Sequence, residues 1–111
     1  MLRRLPEIFA SLNARDVRYV TIGGLASIMY GVPRMTSDLD LLIDPTPENV
    51  QRLLDAFIAA GLHTASLTDP ERLLRHDITV FSDFVRIDVM TKAPGITFDE
   101  AWENRRQKFT G

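Results

Sequence analysis

Two carboxylates stand at the head of an apolar, strand-forming run in the segment DLDLLID, residues 38–44. Because side chains alternate between the two faces of a β-strand, the apolar residues 39, 41 and 43 are predicted on one face. Asp38, Asp40 and Leu42 are then predicted on the other face. Two like charges this close repel each other, so a strand that carries them needs compensating positive charge. The segment therefore constrains both the fold and the chemistry of the chain.

The rest of the chain alternates between helical and strand-like hydrophobic patterns. Helical spacing predicts three helices and one short capped turn, at residues 5–12, 24–30, 46–61 and 69–76. Strand-forming residues predict three further strands, at residues 17–22, 77–81 and 84–90. Ser82 and Asp83 are predicted to turn the last two strands into a hairpin, and a capping box at Thr97 and Glu100 predicts a closing helix that contains Trp102. This order predicts an α/β (α+β) fold, with a small mixed sheet flanked by helices.

The helix predicted at residues 46–61 has both of its ends marked in the sequence. Thr46 is predicted to cap it, Pro47 to be its first residue and Gly61 to end it. Apolar residues at helical spacing predict its buried stripe, which comprises Val50, Leu53, Leu54, Phe57 and Ile58.

Length and composition bound the class of protein. The 111 residues are predicted to form one domain, and 45% hydrophobic with 25% charged residues is typical of soluble globular proteins. No apolar run approaches the roughly 20 residues that span a bilayer, and the first segment lacks the pattern of a secretory signal. The absence of cysteine excludes disulfides and thiolate metal sites, and we expect a cytoplasmic protein without membrane contacts. The formal charge of −2 gives no global attraction to nucleic acid.

A third carboxylate lies on a later predicted strand. In the segment VRIDVM, Asp88 shares a face with Arg86 and Met90, whereas the flanking branched residues lie on the other face. If this strand pairs beside residues 38–44, Asp88 joins Asp38 and Asp40 in a cluster of three carboxylates. Hard oxygen ligands without histidine or cysteine favour Mg²⁺ or Mn²⁺ over zinc. Such a cluster suits two-metal phosphoryl or nucleotidyl transfer.

The pair Gly23 and Gly24, between a predicted strand and a predicted helix, suggests a phosphate site. Without Cβ atoms, glycines let backbone N–H groups and a helix N-terminus approach phosphate oxygens. In the loop that follows, Arg34 is suited to neutralise a phosphate, and Thr36 or Ser37 is suited to donate a hydrogen bond to one. The order of glycine pair, helix, basic loop, D-x-D strand and later strand aspartate is far more specific than any one of these motifs.

In this order of motifs the sequence resembles the nucleotidyltransferase superfamily with the DNA polymerase β-like fold, especially the small bacterial minimal and abortive-infection nucleotidyltransferases. The family's glycine pair, D-x-D motif and later strand carboxylate match the two glycines and three aspartates described above. The Arg-x-Thr-x-Asp-h-Asp pattern of one subgroup, in which h is hydrophobic, is met at residues 34–40. The resemblance covers residues 19–90.

The resemblance implies a nucleotidyltransferase-like core and Mg²⁺-dependent transfer of a nucleotidyl group from a nucleoside triphosphate to a hydroxyl. The implied catalytic and metal-binding residues are Asp38, Asp40 and Asp88. The implied nucleotide-binding residues are Gly23, Gly24, Arg34, Thr36 and Ser37. The acceptor would be an RNA such as tRNA, a protein or a small molecule, and the protein would act in a toxin–antitoxin system, as a homo-oligomer or with a cognate partner. Family members usually continue past the closing helix, so the domain at 1–111 is expected to lack a C-terminal extension.

A second hypothesis keeps this scaffold but gives it a non-catalytic role in binding a nucleotide or a partner protein. A D-x-D pair also occurs in haloacid-dehalogenase phosphatases, but there it follows the strand instead of preceding it. Asp88 and Arg34 each have the alternative of a plain ion pair, Asp88 with Arg86 or Arg34, and Arg34 with the D-x-D carboxylates. His63 and His76 belong to no motif, and both are predicted to be structural or exposed.

Overall fold

The computed structural model describes residues 4–22 and 37–104. The α-helices in these ranges are α1 (Leu5–Ala14), α2 (Pro47–Ala59), α3 (Pro70–Leu74) and α4 (Phe98–Asn104). The strands are β1 (Tyr19–Thr21), β2 (Leu39–Ile43), β3 (Ile78–Ser82) and β4 (Arg86–Met90), and a 3-10 helix spans His63–Leu67. The predicted mixed α/β class is confirmed, whereas the helix predicted at residues 24–30 lies outside the described residues. Of the helices in these ranges, none combines the length and the hydrophobicity that a membrane crossing requires.

The four strands form one mixed sheet in the order β1-β2-β4-β3. β2 runs antiparallel to β1 and parallel to β4, and β3 and β4 form an antiparallel hairpin. A parallel pair needs a long connection, which here consists of α2, the 3-10 helix, α3 and β3. Because the two central strands, β2 and β4, run parallel, they begin at the same end of the sheet.

One face of the sheet, called here the apolar face, carries the side chains of β2 and β4 at odd-numbered positions. These side chains are at most 9% exposed and comprise Leu39, Leu41, Ile43, Ile87 and Val89. They form one buried cluster with side chains of α1 and α2, among them Ile8, Leu12, Leu53 and Phe57. The predicted alternation along residues 38–44 is thus confirmed on this side, where two amphipathic helices cover the sheet.

The opposite face, called here the acidic face, carries one row of side chains formed by Ile22, Asp40, Asp88 and Val80. The register of β2, β3 and β4 places Asp40, Asp88 and Val80 side by side, and Ile22 follows because its N–H donates to the Asp40 carbonyl. The neighbouring row is apolar and packs with α4 in a second cluster, whose members include Val20, Leu42, Met90, Phe98 and Ala101. The two aspartates therefore lie beside the part of this face that α4 covers.

The ends of α2 form as the sequence predicts. The Thr46 side chain accepts a hydrogen bond from the Asn49 N–H at 3.3 Å, which caps the first turn. At the other end, Gly61 has a φ of 97°, and the Leu62 N–H donates to the Phe57 carbonyl at 2.9 Å. This is the Schellman arrangement, which favours glycine because of the positive φ.

Two shorter helices also begin at predicted caps. Thr97 and Glu100 form a reciprocal capping box, in which each backbone N–H donates to the other side chain, at 2.9 Å and 3.1 Å. Asp69 accepts a hydrogen bond from the Arg72 N–H at 2.9 Å and caps α3. These caps satisfy N–H groups that have no partner inside a helix.

Several details of the predicted elements are wrong. Ile58 is 45% exposed and does not belong to the buried stripe of α2, because it lies about 80° around the helix from Val50. Ser82 pairs with Arg86 inside the sheet, so residues 83–85 form the hairpin turn. The Asp83 N–H closes that turn on the carbonyl of Val85 at 3.0 Å. The strands predicted at 17–22 and 84–90 are correspondingly shorter, Tyr19–Thr21 and Arg86–Met90.

Candidate metal and nucleotide site

The parallel pairing of β2 and β4 places Asp40 directly opposite Asp88. Partners in register on neighbouring strands point to the same face, and such strands lie about 4.8 Å apart. Both residues are buried, with exposed fractions of 7% for Asp40 and 6% for Asp88. The predicted pairing of the two strands is confirmed, whereas the catalytic roles of their aspartates stay predictions.

Asp38 lies just before β2 and is joined to the first residue of β4 by two hydrogen bonds. Its N–H donates to the Arg86 carbonyl at 2.8 Å, and its Oδ2 accepts from the Arg86 N–H at 2.9 Å. The carboxylate oxygen thus provides an acceptor for a backbone N–H at the start of the parallel ladder. Both members of the D-x-D motif are therefore held against β4, one by these bonds and the other by the strand register.

The side chain of Arg86 lies on the same face as Asp88. Its Nε is 3.4 Å from Oδ1 of Asp88, and the side chain is 35% exposed, against 8% for that of Asp88. The alternative that Asp88 pairs with Arg86 is thus realised in this structure. Arg86 was not predicted as a site residue, although a cation two positions before Asp88 on the same strand face was the available signal.

Ser37 precedes the D-x-D motif and contacts its second carboxylate. The Ser37 hydroxyl donates to Oδ1 of Asp40 at 3.0 Å. The Ser37 hydroxyl, which was predicted to donate to a phosphate, therefore donates to the Asp40 carboxylate, and its role toward a phosphate stays a prediction. The remaining nucleotide-binding candidates, Gly23, Gly24, Arg34 and Thr36, lie outside the described residues.

Burying a carboxylate costs free energy unless partners replace the lost water. Ser37 provides a hydrogen bond to Asp40, and Arg86 provides a charged partner for Asp88. Even a well-partnered buried ion pair adds little net stability, because desolvation offsets the attraction. The acidic pair therefore contributes little to holding the sheet together, and its position favours a chemical role.

The residues can be compared with what a magnesium ion requires. Within residues 4–22 and 37–104, no three histidine, cysteine, aspartate or glutamate side chains are grouped as a metal cluster. Mg²⁺ is usually held by only one or two carboxylates, with water and substrate phosphates completing its shell. Asp40 and Asp88 supply two hard oxygen donors on facing positions of neighbouring strands, so the residues fit this ion.

Asn49 positions the strands from the other end of the sheet and was not identified from the sequence. It is 1% exposed, and its Oδ1 accepts from the Arg18 N–H at 2.8 Å. Its Nδ2 donates to the carbonyls of Arg18 at 3.0 Å and Asp44 at 2.9 Å. Asn49 therefore ties the start of α2 to the chain entering β1 and leaving β2. A polar residue four positions before Leu53, on the apolar stripe, was the available signal.

Among the described residues, Tyr19 and Asp83 have shifted pKa values. Burial raises the pKa of Tyr19 above its usual range, and the hydrogen bond from its hydroxyl to Asn13 acts in the opposite direction. The backbone N–H and the hydroxyl of Thr64 both donate to Asp83 and hold the pKa of that carboxyl below its usual range. His63 and His76 are both exposed, which agrees with the prediction that they are structural or exposed.

No protein-family model, curated protein or solved structure matches this chain at a significant level. The resemblance to nucleotidyltransferases therefore stays a prediction from the sequence motifs.

Proposed function

We propose that the protein is a Mg²⁺-dependent nucleotidyltransferase that uses the acidic face of its sheet. One observation carries the proposal: the parallel register of β2 and β4 places Asp40 opposite Asp88, both buried on one face. Carboxylates of this kind are costly to bury and add little to stability, so a site for a divalent cation accounts for them better than packing does.

In the proposed reaction, the oxygen of an acceptor hydroxyl attacks the α-phosphorus of a nucleoside triphosphate. The new oxygen–phosphorus bond forms while the bond from the α-phosphorus to its bridging oxygen breaks, and pyrophosphate leaves. Bound Mg²⁺ supplies the Lewis acid that lowers the pKa of the acceptor hydroxyl and neutralises the departing pyrophosphate. The hydroxyl proton passes to the carboxylate of Asp88.

The three aspartates have distinct parts in this proposal. Asp40 and Asp88 hold the metal from neighbouring strands. Asp38 adds its Oδ1 as a further ligand, since its Oδ2 accepts from the Arg86 N–H. The glycine pair, Arg34, Thr36 and Ser37 seat the triphosphate. The same proposal includes an acceptor that is an RNA, a protein or a small molecule. It also includes a cognate toxin–antitoxin partner and a cytoplasmic location.

Label transfer tests the proposed activity directly. The purified chain is incubated with Mg²⁺ and each of the four α-³²P-labelled nucleoside triphosphates, in the presence of total RNA or a protein extract. We expect a labelled acceptor, and a loss of about a hundredfold or more in Asp40→Asn and Asp88→Asn. Asp55→Asn is the matched control, because Asp55 is exposed on α2.

Transfer by Asp88→Asn at the rate of the wild type would overturn the assignment, and so would the absence of any labelled product. Calorimetry with Mg²⁺ and each triphosphate then distinguishes the non-catalytic hypothesis from the proposed transferase. Binding without transfer would identify a nucleotide-binding module on this scaffold, whereas transfer by the purified chain excludes that hypothesis.

A further inference from the structure

We propose that Arg86 is a positioning residue that occupies Asp88 in the metal-free protein and moves to a phosphate of the substrate when the metal binds. This inference rests on the proposed function, because it assigns Arg86 a part in the same site. The ligand that Arg86 takes in exchange is a polyphosphate chain.

The contact between Arg86 and Asp88 is suited to exchange. The distance from Nε to Oδ1 is 3.4 Å, whereas charge-assisted hydrogen bonds between nitrogen and a carboxylate are about 2.7–2.9 Å long. The Arg86 side chain is 35% exposed and that of Asp88 is 8% exposed, so the guanidinium reaches the carboxylate from the solvent side. A small cation that binds Asp88 more closely would displace it.

The backbone of Arg86 is fixed at the start of β4 by hydrogen bonds on the side that faces β2. Its N–H and carbonyl are bonded to Asp38, at 2.9 Å and 2.8 Å, and it pairs with Ser82 of β3. Movement is therefore confined to the side chain, which starts from a constant position beside the two metal-binding carboxylates. A long side chain with a fixed origin can change its partner without disturbing the sheet.

The Asp88 carboxylate and the proposed phosphate are similar acceptors for a guanidinium. Carboxylates and phosphates both accept its paired N–H groups, and phosphate is a favoured partner for its planar fork. When a cation occupies Asp88, the positive charge of Arg86 is repelled from that carboxylate and attracted to the triphosphate that accompanies the cation. Arg86 thus opposes binding of the bare metal and favours binding of the metal with polyphosphate.

Arg86→Met tests this exchange with two probes, Mn²⁺ alone and inorganic tripolyphosphate with Mg²⁺. Electron paramagnetic resonance measures Mn²⁺ binding, and calorimetry measures tripolyphosphate binding. We expect Mn²⁺ affinity to rise about threefold to tenfold, because a competing cation is removed. We expect tripolyphosphate affinity to fall by a similar factor, because a phosphate partner is removed. Changes of opposite sign distinguish this role from a loosened fold, which would weaken both.

Two further variants control the measurement. Arg86→Lys keeps the charge without the fork, so it should retain the Mn²⁺ affinity of the wild type and recover only part of the tripolyphosphate affinity. Arg75→Met removes an exposed partner of Glu71 on α3 and should change neither affinity.

The outcomes separate this inference from the proposed function. If the wild type binds no Mn²⁺, or if Asp88→Asn binds it equally well, the proposed metal site fails and the inference fails with it. If Asp88→Asn loses Mn²⁺ binding but Arg86→Met matches the wild type with both probes, only the role of Arg86 is overturned. Should Arg86→Met fail to fold, Arg86→Lys decides: tripolyphosphate affinity equal to that of the wild type overturns the exchange.

Discussion

The two faces of the same sheet differ in what they bury. On the apolar face, Leu41 and Ile87 are fully buried beneath α1 and α2 and belong to one continuous cluster. On the acidic face, one position away along the same strands, Asp40 and Asp88 are buried as carboxylates. Because side chains alternate, a single pair of strands contributes apolar residues to the core on one face and aspartates on the other. Odd-numbered positions of β2 and β4 stabilise the fold, and even-numbered positions near the strand starts hold the candidate chemistry.

This difference predicts that the effect of a substitution depends on the face it alters. Truncation of the buried apolar side chains on the apolar face should lower the free energy of unfolding without a specific effect on ligands. Changes at the aspartates should alter metal binding with little effect on the metal-free stability.

The largest effect is expected from Phe57→Ala on α2. Phe57 is fully buried against the apolar face and meets Phe81 edge-to-face, with ring centroids 5.1 Å apart. Its truncation should lower the free energy of unfolding by about 3–5 kcal/mol, measured by urea denaturation. Ile58→Ala, one residue further on and 45% exposed, should cost less than about 1 kcal/mol. Equal losses in the two variants would contradict the assignment of the buried stripe.

A smaller but more selective effect is expected from Asp88→Asn on the acidic face. At a Mn²⁺ concentration of about one hundred times Kd, the wild type should gain about 2.7 kcal/mol of stability. Asp88→Asn should gain none, while Asp55→Asn should gain as much as the wild type. Thermal unfolding with and without Mn²⁺ measures the difference. A full gain in Asp88→Asn would show that the cation binds elsewhere.

Thr79→Val should stabilise the protein, in contrast to truncation of an apolar residue on the same face. Thr79 pairs with Val89 and so lies on the apolar face, where its buried hydroxyl has no partner among the described residues. Replacing the hydroxyl with a methyl group should raise the free energy of unfolding by about 1 kcal/mol. Thr91→Val is the matched control: its hydroxyl donates to the His76 carbonyl at 2.7 Å, so the same change should cost about 1 kcal/mol. Denaturation of the two variants in parallel gives the comparison.

The smallest effect is expected at the hairpin turn, where Asp83 accepts both hydrogen bonds from Thr64. These bonds lower the pKa of Asp83, so the folded protein binds fewer protons than the unfolded chain in the acid range. The resulting stabilisation is complete above the ordinary carboxyl pKa of about 4 and is lost as the pH falls through the lowered value. Asp83→Asn should therefore show a shallower fall in Tm between about pH 5 and about pH 2. An unchanged acid slope would exclude this contribution.

The sequence predicted best what is decided locally. The Thr46 cap, the end of α2 at Gly61 and the capping box at Thr97 all depend on groups within a few residues of each other. Alternation alone assigned the residues of β2 to their faces. Ile58 was misplaced because it lies at the edge of the stripe, where burial depends on neighbouring elements and not on helical period.

The sequence predicted the site only conditionally, because its residues come together through long-range pairing. Asp88 was expected beside the D-x-D motif if the two strands paired, but no local signal set that pairing or its parallel direction. The bonds between Asp38 and Arg86, and those from Asn49 to Arg18, follow from the same tertiary arrangement. Their residue types do not reveal their partners.

The parallel pairing of β2 and β4 also has a consequence for folding. Asp38 and Arg86, which are bonded at the start of this pair, are 48 residues apart in sequence. Contacts of such high sequence separation carry a large loop-closure cost and form slowly compared with helices and hairpins. A chain still emerging from the ribosome cannot bring Asp40 beside Asp88 until β4 pairs with β2. If the proposed metal site is correct, binding of a divalent ion would therefore report that β2 and β4 have paired.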